Sequence, residues 1–166
     1  MNVRPTPGRV KESLFSILQP RIEGARFLDL FAGTGAIGFE AASRGAGSVV
    51  SVEGHRETAE AIQEAVEQLG ISKTVKVVAA PADRALYRLE GQFDIVYADP
   101  PYDGELPLQM FRLLLERNLL APEALVIFEH SARTILPDIP GYRSVREEVY
   151  GDVALAFFTP SGNATG

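Results

Sequence analysis

The chain has 166 residues, 46% of them hydrophobic, enough for one domain with a full core. It has no cysteine and only two histidines, His55 and His130, in unrelated places. That excludes disulfide frameworks and thiolate zinc sites, leaves almost nothing for a histidine metal centre or a Ser-His-Asp triad, and makes a reducing cytoplasm the natural setting. A net charge of −6 argues against wholesale electrostatic capture of nucleic acid, although Arg4, Arg9 and Lys11 gather near the start. The opening Met1-Asn2-Val3-Arg4-Pro5 has neither a signal-peptide core nor a transit sequence, and no apolar run approaches bilayer length.

Val10, Leu14, Ile17 and Leu18 fall at helical spacing, with Thr6 or Gly8 as a start signal and Pro20 as a stop. A strand is expected over 26–31, then a glycine-rich turn and a helix to about Arg44. Strands at 48–53 and 75–79 alternate with a long amphipathic helix at 57–69 and a short one at 82–89. The run Phe93-Asp94-Ile95-Val96-Tyr97-Ala98 reads as a buried strand that stops at Asp99-Pro100-Pro101-Tyr102, because proline cannot continue a ladder. A helix follows at 106–119 and an apolar strand at 124–129. The last two strands, 142–150 and 153–158, are joined by Gly151-Asp152, a hairpin signal. This order predicts an α/β, Rossmann-like, seven-stranded sheet, mostly parallel with one antiparallel strand. One domain is expected over 1–166, with residues 1–20 as a helical lid or brace and 161–166 as a frayed tail.

Gly33, Gly35 and Gly38 match G-x-G-x-x-G between a strand and a helix, and Glu53 ends the next strand, where a carboxylate takes two ribose hydroxyls. Asp29 decides between cofactors. A fixed carboxylate four residues before Gly33 repels a pyrophosphate but suits the ammonium group of S-adenosylmethionine, whose own carboxylate suits the amide end of the following helix. Asp83 is placed to reach the adenine amino group, or else caps the short helix after the third strand. His55 and Arg56 read as a solvated helix start.

In an open parallel sheet, ligands bind beyond the carboxyl ends of the strands, so the Asp99 turn overlooks the crevice. Methyl transfer from a sulfonium is an in-line displacement that needs proximity and alignment, and no metal. Asp99 and the Pro100 carbonyl are suited to accept the two N–H bonds of an exocyclic amine, and Asp99 to take the proton. Pro101 fixes the backbone, and Tyr102 stacks on the base.

Arg4-Pro5-Thr6 with Arg9-Val10-Lys11-Glu12-Ser13-Leu14-Phe15, the stretch Leu28-Asp29-Leu30-Phe31-Ala32-Gly33-Thr34-Gly35-Ala36-Ile37-Gly38, and Asp99-Pro100-Pro101-Tyr102 together resemble the bacterial small-subunit (16S) ribosomal RNA guanine-N2 methyltransferases, over nearly the whole chain. The resemblance implies that Asp29, Phe31, Gly33 and Gly35 lie beside the methionine part of S-adenosylmethionine, and that Glu53 holds its ribose. Asp99, Pro100 and Tyr102 would present the guanine amino group, while Arg4 and Thr6 close over the site and Arg9 positions cofactor or RNA. The implied partner is ribosomal RNA in a partly assembled small subunit, with the enzyme a monomer and no membrane or metal involved. Two features depart from the family pattern. A basic strand pair usually precedes Arg-Pro-Thr, and Pro81 stands where many relatives have an acid or amide, which leaves the adenine contact to the Ala82 backbone or to Asp83. Rival readings are methylation of DNA adenine or of a protein glutamine amide, an inactive Rossmann-like RNA-binding module, and a nicotinamide oxidoreductase.

Overall fold

The computed structural model describes residues 8–101 and 108–162. Arg4, Thr6 and Tyr102 lie outside the described residues, as do the first seven residues of the expected lid and the last four of the expected tail. Seven strands form one sheet in the order β3-β2-β1-β4-β5-β7-β6. They are β1 (Arg26–Leu30), β2 (Ser48–Glu53), β3 (Val75–Ala79), β4 (Phe93–Ala98), β5 (Leu120–Ser131), β6 (Tyr142–Tyr150) and β7 (Val153–Pro160). The first five run parallel, and β7 runs antiparallel to both β5 and β6, so it is the one reversed strand.

Among the described residues, five helices cover the two faces. α1 (Gly8–Ile22), α2 (Ala36–Ser43) and α3 (Arg56–Leu69) share a core with Phe27, Ile95 and Ile127. α4 (Ala82–Arg88) and α5 (Leu108–Glu116) pack on the opposite face against Leu28, Val96 and Phe128. Because side chains alternate along a strand, neighbours in β1 or β4 serve opposite cores. Asp29 therefore faces the same layer as Phe27, beneath α2.

Several boundaries differ from expectation. α1 runs through Pro20 to Ile22, since a proline in the last turn forfeits one hydrogen bond while the fully buried Ile22 holds the end of the helix in the core. β5 begins at Leu120: the pairing with β4 shifts between Phe93 and Ile95, and this irregularity absorbs the exposed Pro122 and Glu123 that read as a break in sequence. α5 closes at Glu116, and Asn118 then takes a left-handed φ of 56°, a conformation asparagine tolerates. Among the described residues no helix is long and apolar enough to cross a membrane.

Candidate active site

The carboxyl edge of the sheet carries one acid from each of four neighbouring strands. In sheet order they are Glu53 at the end of β2, Asp29 near the end of β1, Asp99 after β4 and Glu129 near the end of β5. Sequence spacing finds the first three, and the fold sets them side by side.

The chain leaves β1 at Leu30, one residue earlier than expected. Phe31 turns left-handed at φ 60°, a rare conformation for a bulky residue, and Ala32 donates to the Val52 carbonyl at 2.8 Å. Gly33 and Gly35 continue the turn at φ 58° and 84°, with Gly35 at the N-cap of α2. Glycine is the residue that takes such angles without strain. Gly33 N–H then donates to Glu53 Oε1 at 2.8 Å, and His55 N–H donates to Glu53 Oε2 at 2.9 Å. Glu53 thus stands fastened between the turns that follow β1 and β2.

Gly38 lets α2 settle onto the sheet. A Cβ there would come within 2.7 Å of Ser51 Oγ and 3.1 Å of Val49 Cγ1. The same close approach sets Gly38 against Asp29, where a Cβ on the glycine would lie 3.7 Å from Asp29 Oδ2. Ala36 N–H is engaged by Thr34 Oγ1 at 3.3 Å. Asp29 and Ser51 are each 1% exposed, and Asp29 Oδ2 and Ser51 Oγ have no hydrogen-bond partner. Burial, then the nearby Asp99 and Glu53 carboxylates, push the Asp29 carboxyl well above the usual range, and the Gly38 N–H offsets part of that.

The acceptor side has its own buried pair. Tyr97, in register with Asp29, donates its phenol hydrogen to Glu129 Oε1, joining β4 to β5 just below the Asp99 turn. Nothing in local spacing signals this contact, which spans 32 residues of sequence. Asp99 and Pro100 are half-buried and Pro101 is exposed at the edge.

Arg9 lies apart from the glycine turn. Its Nη2 is 3.9 Å from where a Cβ on Gly151 would sit, at the β6–β7 turn on the far side of the same edge. Ser13 and Tyr150 share a hydrogen bond that holds α1 to this hairpin.

Near β3, a Cβ on Gly54 would lie 3.3 Å from Pro81 Cα, so the turns after β2 and β3 face each other closely. Pro81 occupies the N-cap of α4, so Asp83 is not the cap: it sits exposed in the first turn with Oδ1 accepting from Arg84 N–H. Ala82 is half-buried against the α4–α5 core. His55 has a structural task, its Nδ1 accepting from Thr58 N–H at the N-cap of α3. A separate recess runs from Gly33 and Thr34 along His55, Thr58 and Ile62. Among the described residues no group of acids and histidines is arranged to hold a metal ion.

This arrangement matches known proteins. A family model described as Conserved hypothetical protein 95 matches residues 1–159. Ribosomal RNA small subunit methyltransferase D of Escherichia coli strain K12 is 36% identical over 159 residues, covering 94% of this chain and 79% of that protein. The solved structure of yhhF from Escherichia coli aligns with a TM-score of 0.88 at 32% identity, covering 98% of this chain and 92% of that one. An RNA methyltransferase from Salinibacter ruber, solved in complex with S-adenosyl-L-homocysteine, shares the fold at a TM-score of 0.72 and 16% identity, covering 96% of each chain. The chain belongs to the Conserved hypothetical protein 95 family, in which it is joined by the small-subunit ribosomal RNA methyltransferases D.

Proposed function

We propose that the chain transfers a methyl group from S-adenosylmethionine to the exocyclic N2 amino group of a guanine in small-subunit ribosomal RNA. Family membership supports the coarser statement, a methyltransferase of ribosomal RNA that uses S-adenosylmethionine. The finer reading, down to the guanine amino group, rests on the Asp99-Pro100 turn standing beside the Asp29 and Glu53 end of the sheet.

The fit to the cofactor can be judged from atoms already described. Asp29 Oδ2 and Ser51 Oγ are buried without partners, as suits a site completed by a ligand's ammonium group. Glu53, tethered by two backbone N–H groups, is set in one orientation, as suits a pair of ribose hydroxyls. Ala82 or Asp83 meets the adenine from the β3 side. When bound, S-adenosylmethionine supplies a methyl group activated on a sulfonium.

The residues of the chain do the rest. Asp99 and the Pro100 carbonyl accept the N–H bonds of the guanine amine, hold its nitrogen toward the methyl group, and so provide most of the catalytic gain through alignment. As nitrogen gains the methyl group it sheds one proton, and Asp99 is the group assigned to take it. Tyr102 stacks on the base. Arg9, at the β6–β7 end of the crevice, is assigned to the RNA and not the cofactor, with Arg4 and Thr6 closing over the bound base. Incubation of the protein with methyl-labelled S-adenosylmethionine and small ribosomal particles or their RNA, followed by nucleoside digestion, tests the reading. Label in N2-methylguanosine supports it. Label in another nucleoside, or in protein alone, contradicts it.

A further inference from the structure

Asp29 is the innermost acid of the carboxyl edge, and among the described residues its surroundings offer it no cation. From β2 it meets Ser51, its partner in register, and the Glu53 carboxylate. From β4 it has Tyr97 in register, whose phenol hydrogen goes to Glu129 of β5, and the nearby Asp99 carboxylate. From α2 it faces Gly38, where a Cβ would lie 3.7 Å from Asp29 Oδ2. On the covering helices, Lys11 and Arg44 both pair with Glu40. A bare carboxylate in such a place gives up its water and gains repulsion from two like charges, whereas a neutral carboxylic acid does neither.

Asp29 Oδ2 and Ser51 Oγ, both without partners, flank the same glycine: a Cβ on Gly38 would lie 3.7 Å from the first and 2.7 Å from the second.

We propose that Asp29, enclosed by Ser51, Gly38 and two further carboxylates, holds a proton in the unliganded protein and exchanges it for the α-ammonium group of the cofactor. The exchange rests on the methyl-donor reading above and deepens it into a linkage between cofactor capture and pH. Its balance is simple. The Asp29 O–H bond breaks, the proton passes to the buffer, and the ammonium charge of the ligand faces the carboxylate left behind. Burial and the neighbouring anions, which hold the Asp29 carboxyl well above the usual range, agree with a bound proton before the ligand arrives. Capture should therefore grow tighter as pH rises until Asp29 ionises without help.

Calorimetric titration at about pH 6, where a free carboxylic acid is already ionised, measures the exchange directly when repeated in two buffers of different ionisation enthalpy. S-adenosylhomocysteine is the probe, and 5′-methylthioadenosine, which lacks the amino-acid part, is the control. The expected result is release approaching one proton with the first and none with the second. Asp29→Asn keeps the size of the side chain and removes its titration, and release should vanish. His55 is present in both proteins, so their difference isolates Asp29. In Ser51→Ala, which removes a hydroxyl able to donate to the ionised carboxylate, release should persist to higher pH than in the wild type. Heats that do not depend on buffer, or release that survives in Asp29→Asn, overturn the exchange while leaving the methyl-donor reading intact. Binding of neither nucleoside, nor of S-adenosylmethionine, overturns both.

Discussion

Gly33 N–H donates to Glu53 Oε1 at 2.8 Å, tying the acid at the end of β2 to the glycine turn after β1. With His55 N–H on the other oxygen at 2.9 Å, the carboxylate is oriented before any ligand arrives. Little rotamer entropy then remains to be lost on binding.

Replacing Glu53 should expose that dependence. Glu53→Ala removes a charged acceptor and slackens both turns, so cofactor affinity should fall by ~1.5–3 kcal/mol, the range for a hydrogen bond to a charged group. Calorimetry with S-adenosylmethionine reads it. An unchanged dissociation constant would remove Glu53 from the site.

The contact between α2 and the sheet predicts an effect on folding. Gly38→Ala places a methyl group 2.7 Å from Ser51 Oγ and 3.1 Å from Val49 Cγ1, so these two buried side chains must shift or the helix lift from the strand. Destabilisation of roughly 1–3 kcal/mol is expected, as for other overpacked sites. Gly8→Ala at the start of α1, where a Cβ meets nothing within 4 Å, should leave the urea midpoint nearly unmoved. Equal effects of the two substitutions would contradict the close approach.

Asp29 makes a prediction about pH and stability. Its carboxyl is raised in the folded protein, chiefly by burial, above the value of about 3.9 expected when unfolded. Between those two values the folded state holds the extra proton, so this residue's contribution to stability falls as pH rises through the window. Asp29→Asn has no such titration. Its stability relative to the wild type should therefore improve from pH 5 to pH 8 in urea denaturation. A constant difference would contradict the raised value.

A division of labour along the edge follows from assigning Asp99 to the acceptor. Asp99→Ala should abolish methyl transfer and leave the affinity for S-adenosylmethionine within a few-fold of the wild type. Equal loss of binding and turnover would show that Asp99 serves the cofactor.

Much of this edge was legible in the chain itself. β2, β3 and β4 fall at the expected residues because each is a short β-branched run closed by a polar residue or a proline. Asp29, Glu53 and Asp99 stand out because strand ends fix where an acid must lie. Ser51 and Glu129 were not legible: a serine within an apolar strand carries no signal, and Tyr97 meets Glu129 only once β4 and β5 are paired. The turn at Phe31 was missed for a related reason, since an aromatic residue after Leu30 reads as more strand until Ala32 N–H is seen bonded to Val52. α1 passed its apparent stop because burial of Ile22 outweighed the local cost of Pro20.

The measurement that bears most directly on the carboxylate edge is calorimetric titration of the intact chain with S-adenosylmethionine and, separately, with NAD. A sulfonium-bearing amino acid suits Asp29, Glu53 and Asp99, whereas a pyrophosphate laid against them is repelled. Saturable binding of S-adenosylmethionine with no heat from NAD is the predicted result. Binding of NAD alone would contradict it.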